Sequence, residues 1–223
     1  MDLLATSIHR ALAVDWLLLP SKATPTAALE LPGDGLRGDS PLAWWAAGHY
    51  AGGLRQRLLQ LRQRPDRQGI ADLVEGLCGA LHQAFGDHRH RRPVLVAVPS
   101  WKRVGNPLPS LLSGCLARQL GWPQQQLLRR SRPVLGQHHL GRELRWANQA
   151  GAFCSVPLER PPWGPTPPVV LVDDILTTGA TAVAAASALQ SAGWRPLGMA
   201  CLARTPWQGR DLRSASRSGD GPG

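Results

Sequence analysis

The sequence lacks the features that mark membrane, secreted and zinc-binding proteins. No stretch of its 223 residues approaches the roughly 20 consecutive apolar residues that a membrane span needs. Asp2, Arg10 and Asp15 interrupt the apolar run at the N-terminus, which is unlike a signal peptide. The cysteines form no C-x-x-C pair and lie in apolar surroundings, so we expect four buried free thiols: Cys78, Cys115, Cys154 and Cys201. These absences predict a cytoplasmic protein without a membrane span.

Lysine is also nearly absent. Lys22 and Lys102 are the only two, so arginine carries almost all of the formal net charge of +10. Such a charge suits an anionic ligand, either a nucleotide-like molecule or a nucleic acid. The arginines are scattered, however, with short clusters only at 89–92 and 129–132. A solvated basic surface therefore remains the alternative to a dedicated nucleic-acid site.

The most informative segment covers residues 169–181, with the sequence VVLVDDILTTGAT. Val169–Val172 predicts a strand buried on both faces, as in a parallel sheet covered by helices. Asp173 and Asp174 follow at its carboxyl end, where open α/β sheets bind their ligands. The turn into a helix comes next, and its free N–H groups and the helix dipole favour a phosphate; its residues are Thr177, Thr178, Gly179, Ala180 and Thr181. Acids for sugar hydroxyls beside amides for a phosphate predict a site for a phosphorylated sugar.

An ATPase is an alternative for a strand that ends in acids, because Walker B strands share that pattern. The phosphate-binding sequence G-x-x-x-x-G-K-[ST] that such enzymes require occurs nowhere in the chain. The sequence therefore does not support an ATPase.

Apolar patterns elsewhere predict alternating strands and helices, and hence an α/β fold with a parallel sheet. We expect helices over 42–61, 70–85, 108–120 and from the motif to about 192, and strands at 94–98, 127–128, 153–156, 169–172 and 197–203. The predicted organisation is a helical N-terminal segment (1–90), a core (91–204) and a basic, disordered tail (205–223).

The segment Asp173–Thr181 resembles the phosphoribosyl pyrophosphate (PRPP) motif of type I phosphoribosyltransferases. The resemblance implies that Asp173 and Asp174 are catalytic and hold the ribose 2′ and 3′ hydroxyls, while Thr177–Thr181 wraps the 5′-phosphate. It further implies transfer of phosphoribose from PRPP to an unidentified nitrogen acceptor, with release of pyrophosphate. Mg²⁺, bound through PRPP, would be the cofactor.

Two further segments are similar to ComF/GntX-type members of that family. One runs from Gln137 to Phe153, upstream of the motif, and the other covers His49–Leu58. The resemblance implies a type I phosphoribosyltransferase core with a helical N-terminal hood. It also makes residues 130–150 a flap over the site, with three candidate contacts to pyrophosphate or acceptor, Arg142, Arg145 and Asn148. Surface arginines and a helix-capping asparagine are the alternative for these three residues.

The chain departs from these relatives in two places. They begin with a zinc ribbon, whereas this sequence has no cysteine before Cys78, so we expect no zinc. They also carry an arginine-rich R-G-F-N-Q type sequence after the first strand of the core. Here the candidates for contacts to pyrophosphate are Ser100, Lys102 and Arg103. Fewer cations in this loop predict slow or absent turnover with retained PRPP binding.

The ComF resemblance also implies a link to competence, the handling of incoming single-stranded DNA. Nine tryptophans and the positive charge would permit strand binding by base stacking and phosphate contacts. Two functions therefore stay open: a phosphoribosyltransferase, and a catalytically weak PRPP-fold protein that binds single-stranded DNA. The sequence decides neither the acceptor nor the oligomeric state, and a homo-oligomer remains open.

Overall fold

In the part of the chain that the structure describes, five strands form a central sheet, in the order β1-β2-β7-β6-β3, and two more form a small antiparallel sheet. The computed structural model describes residues 29, 31–86, 92–100, 106–134, 142–159 and 166–206. Its strands are β1 (Leu36–Gly38), β2 (Trp44–His49), β3 (Val94–Ala97), β4 (Leu128–Arg130), β5 (Phe153–Ser155), β6 (Pro168–Leu176) and β7 (Arg195–Arg204). Its helices are α1 (Gly52–Gln63), α2 (Arg67–Ala71), α3 (Glu75–Phe85), α4 (Leu108–Leu120), α5 (Arg142–Gln149) and α6 (Ala180–Ser191).

The central sheet is parallel except at one edge. β2, β7, β6 and β3 pair in parallel, and β1 adds to β2 in the antiparallel sense. β6 lies between β7 and β3, and its residues Val169–Val172 are fully buried. The predicted α/β fold with a parallel sheet and a strand buried on both faces is therefore confirmed. β6 is longer than predicted, however, because its pairing with β7 continues to Leu176, so the two acids lie within its last part.

Each face of the sheet has its own hydrophobic cluster. On one face, buried leucines of α1, α3 and α4 pack against Val170, Val172 and Leu202. On the other face, alanines of α6 and residues of the small β4–β5 sheet pack against Val169, Leu171 and Met199. The layers are thus helices, a sheet, and then a helix with a small sheet, the arrangement that covers both faces of a parallel sheet.

The helix predicted over 42–61 is wrong in its first half. Residues 44–49 form β2, which pairs with β7 from Trp44↔Met199 to His49↔Arg204, and the helix begins only at Gly52. A strand buried on both faces shows no alternation, so its apolar residues merged with the helical spacing that follows. β1 is likewise absent from the strands expected from the sequence. The strands of residues 36–49, within the segment predicted to be helical, thus belong to the same sheet as the core strands.

The helix predicted over 70–85 is divided in two. α2 ends at Ala71 and α3 begins at Glu75. Asp66 fixes the start of α2, because its carboxylate accepts from the backbone N–H groups of Gln68 (3.1 Å) and Gly69 (2.9 Å). The predicted helix over 108–120 is confirmed as α4, which ends at Gly121 with a φ of 63°. The predicted disorder of the tail concerns residues that lie, from 207 onward, outside the described part.

All four cysteines are free thiols, as expected, but one of them is not buried. Cys154 is exposed, since it is the outward-facing residue of β5 between buried Phe153 and half-buried Ser155. Within the described ranges, no helix is long and apolar enough to cross a membrane.

Candidate functional site

Asp174 has a direct ion pair that the sequence did not reveal. Its Oδ2 accepts from Nε of Arg62, at the end of α1, at 2.7 Å. The side chain of Asp174 is 5% exposed and that of Arg62 is 33% exposed. Burial lowers the pKa of the Arg62 guanidinium, but the hydrogen bond and the charge of Asp174 outweigh that effect and the pKa is raised overall. The pair therefore ties α1 to the end of β6.

Asn106 is a second partner of the same carboxylate oxygen. Its Nδ2 donates to Oδ2 of Asp174 at 2.6 Å, and its Oδ1 accepts from the backbone N–H of Leu108 at 3.1 Å. Leu108 is the first residue of α4. Asn106 thus connects Asp174 to the start of α4 and satisfies one of that helix's otherwise unpaired N–H groups.

Asp173 lies in a different environment. It is half-buried, and its Oδ1 accepts from the backbone N–H of Asp174 at 2.8 Å. Burial raises the pKa of the Asp173 carboxyl well above its usual range, and the adjacent charge of Asp174 raises it further. The backbone hydrogen bond and the charge of Arg62 act in the opposite direction without offsetting these effects. A carboxyl group with a raised pKa can carry a proton. Its ionised form, which accepts hydrogen bonds, then needs a ligand that stabilises the negative charge.

Arg130 of β4 is a cation in the neighbourhood of Asp173. Its guanidinium donates to the carbonyl of Pro99 (3.0 Å) and to Oε1 of Gln149 (3.1 Å), and it stacks 4.0 Å from the ring centre of Phe153. Burial lowers the pKa of Arg130 to about 10, although the charge of Asp173 partly counteracts this. Arg130 thereby joins the segment after β3 to α5 beside the acid pair.

The loop after β6 begins α6 as predicted. Gly179 has a φ of 84°, and a Cβ at this position would lie 2.3 Å from Cγ of Pro41, so both its conformation and its surroundings require glycine. The hydroxyl of Thr178 accepts from the backbone N–H of Ala180 at 3.4 Å. The first helical backbone bond runs from Val183 N–H to the Gly179 carbonyl at 2.9 Å. The loop thus lies at the positive end of the α6 dipole, the place in a helix that favours anions.

Arg204 supports this loop from the end of β7. Its guanidinium donates to the carbonyl groups of Leu176 (3.1 Å) and Thr177, and the backbone N–H of Thr205 donates to Leu176 as well (3.0 Å). Arg204 is 7% exposed and lies 5.4 Å from the ring centre of Trp44. Because its donors hold carbonyl groups on one side of the loop, Arg204 fixes the loop's conformation.

The predicted loop and acids lie together, whereas the structure describes only some of the other candidate residues. Asp173, Asp174 and the Thr177–Thr181 loop are contiguous at one end of β6 and the start of α6. Ser100 follows β3, the strand next to β6, so it lies toward the same edge of the sheet. Lys102 and Arg103 lie outside the described residues.

The three flap candidates are all on α5. Arg145 and Asn148 are half-buried there, while the side chain of Arg142 is outside the description. Arg132 donates to the carbonyl groups of Asn148 (3.1 Å) and Ala150 (2.6 Å), which fixes the end of this helix against the turn after β4. α5 reaches the acid pair indirectly, through Gln149 and Arg130.

A groove of about 710 Å³ runs along α6, beside rather than at the acid pair. Its walls come from α5, β5 and the outer side of α6, and include Trp146, Phe153, Cys154, Ala180, Val183, Ala184, Ser187 and Ala188. At Ala180 the groove meets the loop that begins α6.

Resident metal ligands are not gathered near the acids. Within the described ranges, no three His, Cys, Asp or Glu side chains lie close enough together to hold a metal ion. The expectation that the protein contains no zinc remains a prediction, which metal analysis of the purified chain would check.

Comparisons with known proteins give two kinds of similarity. No family model matches the sequence. Two curated relatives, DNA utilization protein YhgH of Salmonella typhi and of Salmonella typhimurium strain LT2, are each 38% identical to this chain over 117 residues. The match covers 50% of this chain and 49% of each relative, so the chain spans about half the length of the relatives it matches.

One solved structure is similar with a lower sequence identity. It is the adenine phosphoribosyltransferase of Leishmania donovani, with 16% sequence identity and a TM-score of 0.39. The superposition covers 76% of this chain and 75% of that one. At this TM-score the likeness carries no weight for the function of the present protein.

Proposed function

We propose that the protein binds PRPP and transfers its phosphoribosyl group to a nitrogen acceptor. One observation carries this proposal: two acids near the carboxyl end of a buried parallel strand are followed directly by a loop that begins a helix. Carboxylates accept hydrogen bonds from sugar hydroxyls, and the start of a helix binds a phosphate. The spacing along one continuous segment suits a pentose that carries a 5′-phosphate.

The proposed reaction is a substitution at C1 of the ribose. The bond between C1 and the diphosphate oxygen breaks, pyrophosphate leaves with the electron pair, a C–N bond to the acceptor forms, and the acceptor nitrogen gives up a proton. No covalent bond to the protein is needed. The acid pair would orient the ribose and lie near its developing positive charge, and Thr177–Thr181 would hold the phosphate.

The residues of the site fit a Mg²⁺ that arrives with the substrate. Mg²⁺ prefers oxygen ligands and is commonly held by one or two carboxylates together with substrate phosphates. The acids provide such oxygens, but too few for a resident ion among the described side chains. When bound, Mg²⁺ would neutralise charge on the departing diphosphate.

Ser100, Lys102 and Arg103 are proposed to face the pyrophosphate, with Arg142, Arg145 and Asn148 as contacts from α5. A charge-assisted hydrogen bond contributes about 1.5–3 kcal/mol, so two missing contacts relative to an arginine-rich loop would slow transfer by roughly two to four orders of magnitude. We therefore expect PRPP binding together with slow or absent turnover.

Calorimetry with PRPP and Mg²⁺ tests the binding step. The double variant Asp173→Asn with Asp174→Asn should lose PRPP affinity while remaining folded by circular dichroism. Asp72→Asn is the matched control, because Asp72 is an exposed acid on the surface turn after α2. If the double variant binds PRPP as tightly as the parent, the acids do not hold the ribose.

A panel of purine, pyrimidine and ammonia acceptors, assayed for pyrophosphate release, tests the transfer step. Turnover near the usual enzymatic range of about 1–1000 per second with any of them would contradict the weakened pyrophosphate site. Lys102→Ala and Arg103→Ala would then show whether these two cations suffice.

A second candidate function is the binding of single-stranded DNA. The net charge of +10 supports it. The name of the two relatives supports it as well: both are DNA utilization proteins, and this chain is 38% identical to them over the matched segment. Fluorescence anisotropy with a labelled oligonucleotide over a series of salt concentrations would test it. Phosphate contacts predict a log affinity that falls linearly with log salt, whereas absence of binding at low salt would reject this function.

A further inference from the structure

The groove along α6 is not used by the proposed transfer reaction. It lies beside the acid pair, and its volume of about 710 Å³ falls within the range of about 300–1000 Å³ that is typical of sites for small organic groups. Among the described residues that line it, none is charged, and the sequences of β4, β5 and α6 contain no acidic residue. The walls are therefore apolar or carry hydroxyl groups, so they do not repel an anion.

Trp146 of α5 is an aromatic side chain of this wall, and it is only half-buried. The ring of Phe153, also in the wall, is 7% exposed and is covered by the guanidinium of Arg130, 4.0 Å from the ring centre. Trp45 and Trp122, in contrast, are buried among the leucines of α1, α3 and α4. An accessible indole in an uncharged groove is suited to stacking against a nucleobase, and such stacking tolerates any base.

Two exposed arginines lie at the edge of the groove. Arg129 is paired with Cys154 across β4 and β5, so their side chains lie on the same face of the small sheet, and Cys154 lines the groove. Arg132 donates from Nη2 to the carbonyl of Ala150, another residue of the wall, at 2.6 Å. Among the described residues, neither arginine forms an ion pair with a carboxylate. Their charge is therefore available to an anionic partner.

We propose that single-stranded DNA binds along this groove, with a base stacked on Trp146 and neighbouring phosphates at Arg129 and Arg132. The assignment rests on the second candidate function and names the surface that performs it. Charge complementarity favours this occupant, since negative phosphates meet a positive edge. In a symmetric contact between two copies of this chain, the same arginines would face each other and repel. In duplex DNA the bases are stacked on one another, so none is available to Trp146.

Fluorescence anisotropy with a labelled oligothymidine tests the stacked base. Trp146→Ala should weaken binding by about 5- to 150-fold, as expected for the loss of one stacked base, while the variant remains folded by circular dichroism. Trp146→Phe keeps an aromatic face and should retain most of the affinity. The same oligonucleotide annealed to its complement should bind more weakly than the single strand.

The salt dependence of binding tests the two arginines. Arg129→Gln with Arg132→Gln should lower the slope of log affinity against log salt by roughly 1.4, since each phosphate contact of a single strand contributes about 0.7. Arg55→Gln with Arg64→Gln is the matched control. It removes the same charge from exposed positions at α1, on the other side of the central sheet, and should leave the slope nearly unchanged.

Cys154 gives a second measurement that needs no variant to fold. Its exposed thiol lies in the wall of the groove. Saturating oligothymidine should slow its modification by a thiol-specific reagent several-fold, and prior modification with a bulky reagent should weaken binding of the oligonucleotide. The annealed duplex should protect it much less.

Each result decides whether this surface binds the strand. A parent that binds no single-stranded DNA at low salt would reject the second candidate function and the surface with it, while PRPP binding has its own test. A parent that binds while Cys154 stays unprotected would show that the strand lies elsewhere. Unchanged affinity in Trp146→Ala, or equal affinity for the duplex, would remove the stacked base. Equal losses of slope in the two double variants would mean that only net charge matters.

Discussion

The two faces of the central sheet are built from different side chains. One is filled by leucines of α1, α3 and α4, all deeply buried, and the other is covered by the alanine-rich α6 with a groove of about 710 Å³ beside it. The acids lie between the two faces. Asp174 is tied to Arg62 and Asn106 on the leucine face, while Asp173 interacts electrostatically with Arg62 and also with Arg130 and Cys201, which adjoin the alanine face. The leucine face is thus tightly packed, whereas the alanine face carries a groove.

Truncation of a core leucine should have the largest effect. Leu112 of α4 is fully buried on the leucine face. Leu112→Ala should lower the free energy of unfolding by about 2–5 kcal/mol, because it removes apolar contacts and leaves a cavity. In thermal unfolding this corresponds to a fall of about 4–20 °C for a chain of this size. Val183→Ala, at the half-buried groove wall, should cost much less, and equal losses would contradict the difference between the faces.

Removal of the Asn106 side chain should have an intermediate effect. Asn106→Ala takes away the hydrogen bond to Asp174 and the one from the first N–H of α4. We expect a loss of about 1–2 kcal/mol in the free energy of unfolding, measured by chemical denaturation. In the Asp174→Asn background the loss should be smaller, since the two residues share one contact. Full additivity would show that Asn106 acts through α4 alone.

The pH dependence of stability should reveal Asp173. Its pKa is raised in the folded protein, so the folded state binds this proton more tightly than the unfolded state does. The stability it contributes is present below the unfolded pKa of about 3.9 and is lost as pH rises toward the raised folded value. Asp173→Asn should therefore raise the melting temperature near neutral pH and flatten its decline above pH 4. A variant that is less stable at pH 7 would contradict this environment for Asp173.

Chemical labelling of Cys154, in the wall of the groove, should have the smallest effect on stability. Cys154 is exposed, whereas the other three thiols are buried, and burial raises the pKa of Cys78 to about 11. A thiol-specific reagent should modify one cysteine per folded chain rapidly, with little change in melting temperature. Cys154→Ser should abolish that fast phase. A second fast thiol would indicate that the leucine-face or sheet cysteines become accessible in the native state.

The sequence was sufficient for the parts of the fold that local patterns determine. The buried run Val169–Val172, α4 with its glycine end and the loop that begins α6 were all predicted because each depends on neighbouring residues. β2 was missed, since Trp44–His49 leads into α1 without a break in apolar spacing. Only the pairing with β7, about 155 residues away, shows that this segment is extended.

The same distinction applies to the candidate site. The acids and the phosphate loop were predicted from one continuous motif. Arg62 and Asn106 were missed, because 112 and 68 residues separate them from Asp174 and no spacing rule connects them. Asn106-Pro107 before an apolar helix is a helix-start signal that could have drawn attention to Asn106. Nothing comparable marks Arg62 among the other arginines of α1.

The pairing of β2 with β7 has a consequence for synthesis of the chain. β2 emerges from the ribosome long before β7, which lies between β2 and β6 in the finished sheet. Until β7 is made, β2 has no parallel partner and β6 lacks one of its two neighbours, so unpaired strand edges rich in apolar residues remain exposed. Closing so long a loop is entropically costly and makes folding slow. The nascent protein should therefore expose these strand edges until β7 pairs with both β2 and β6.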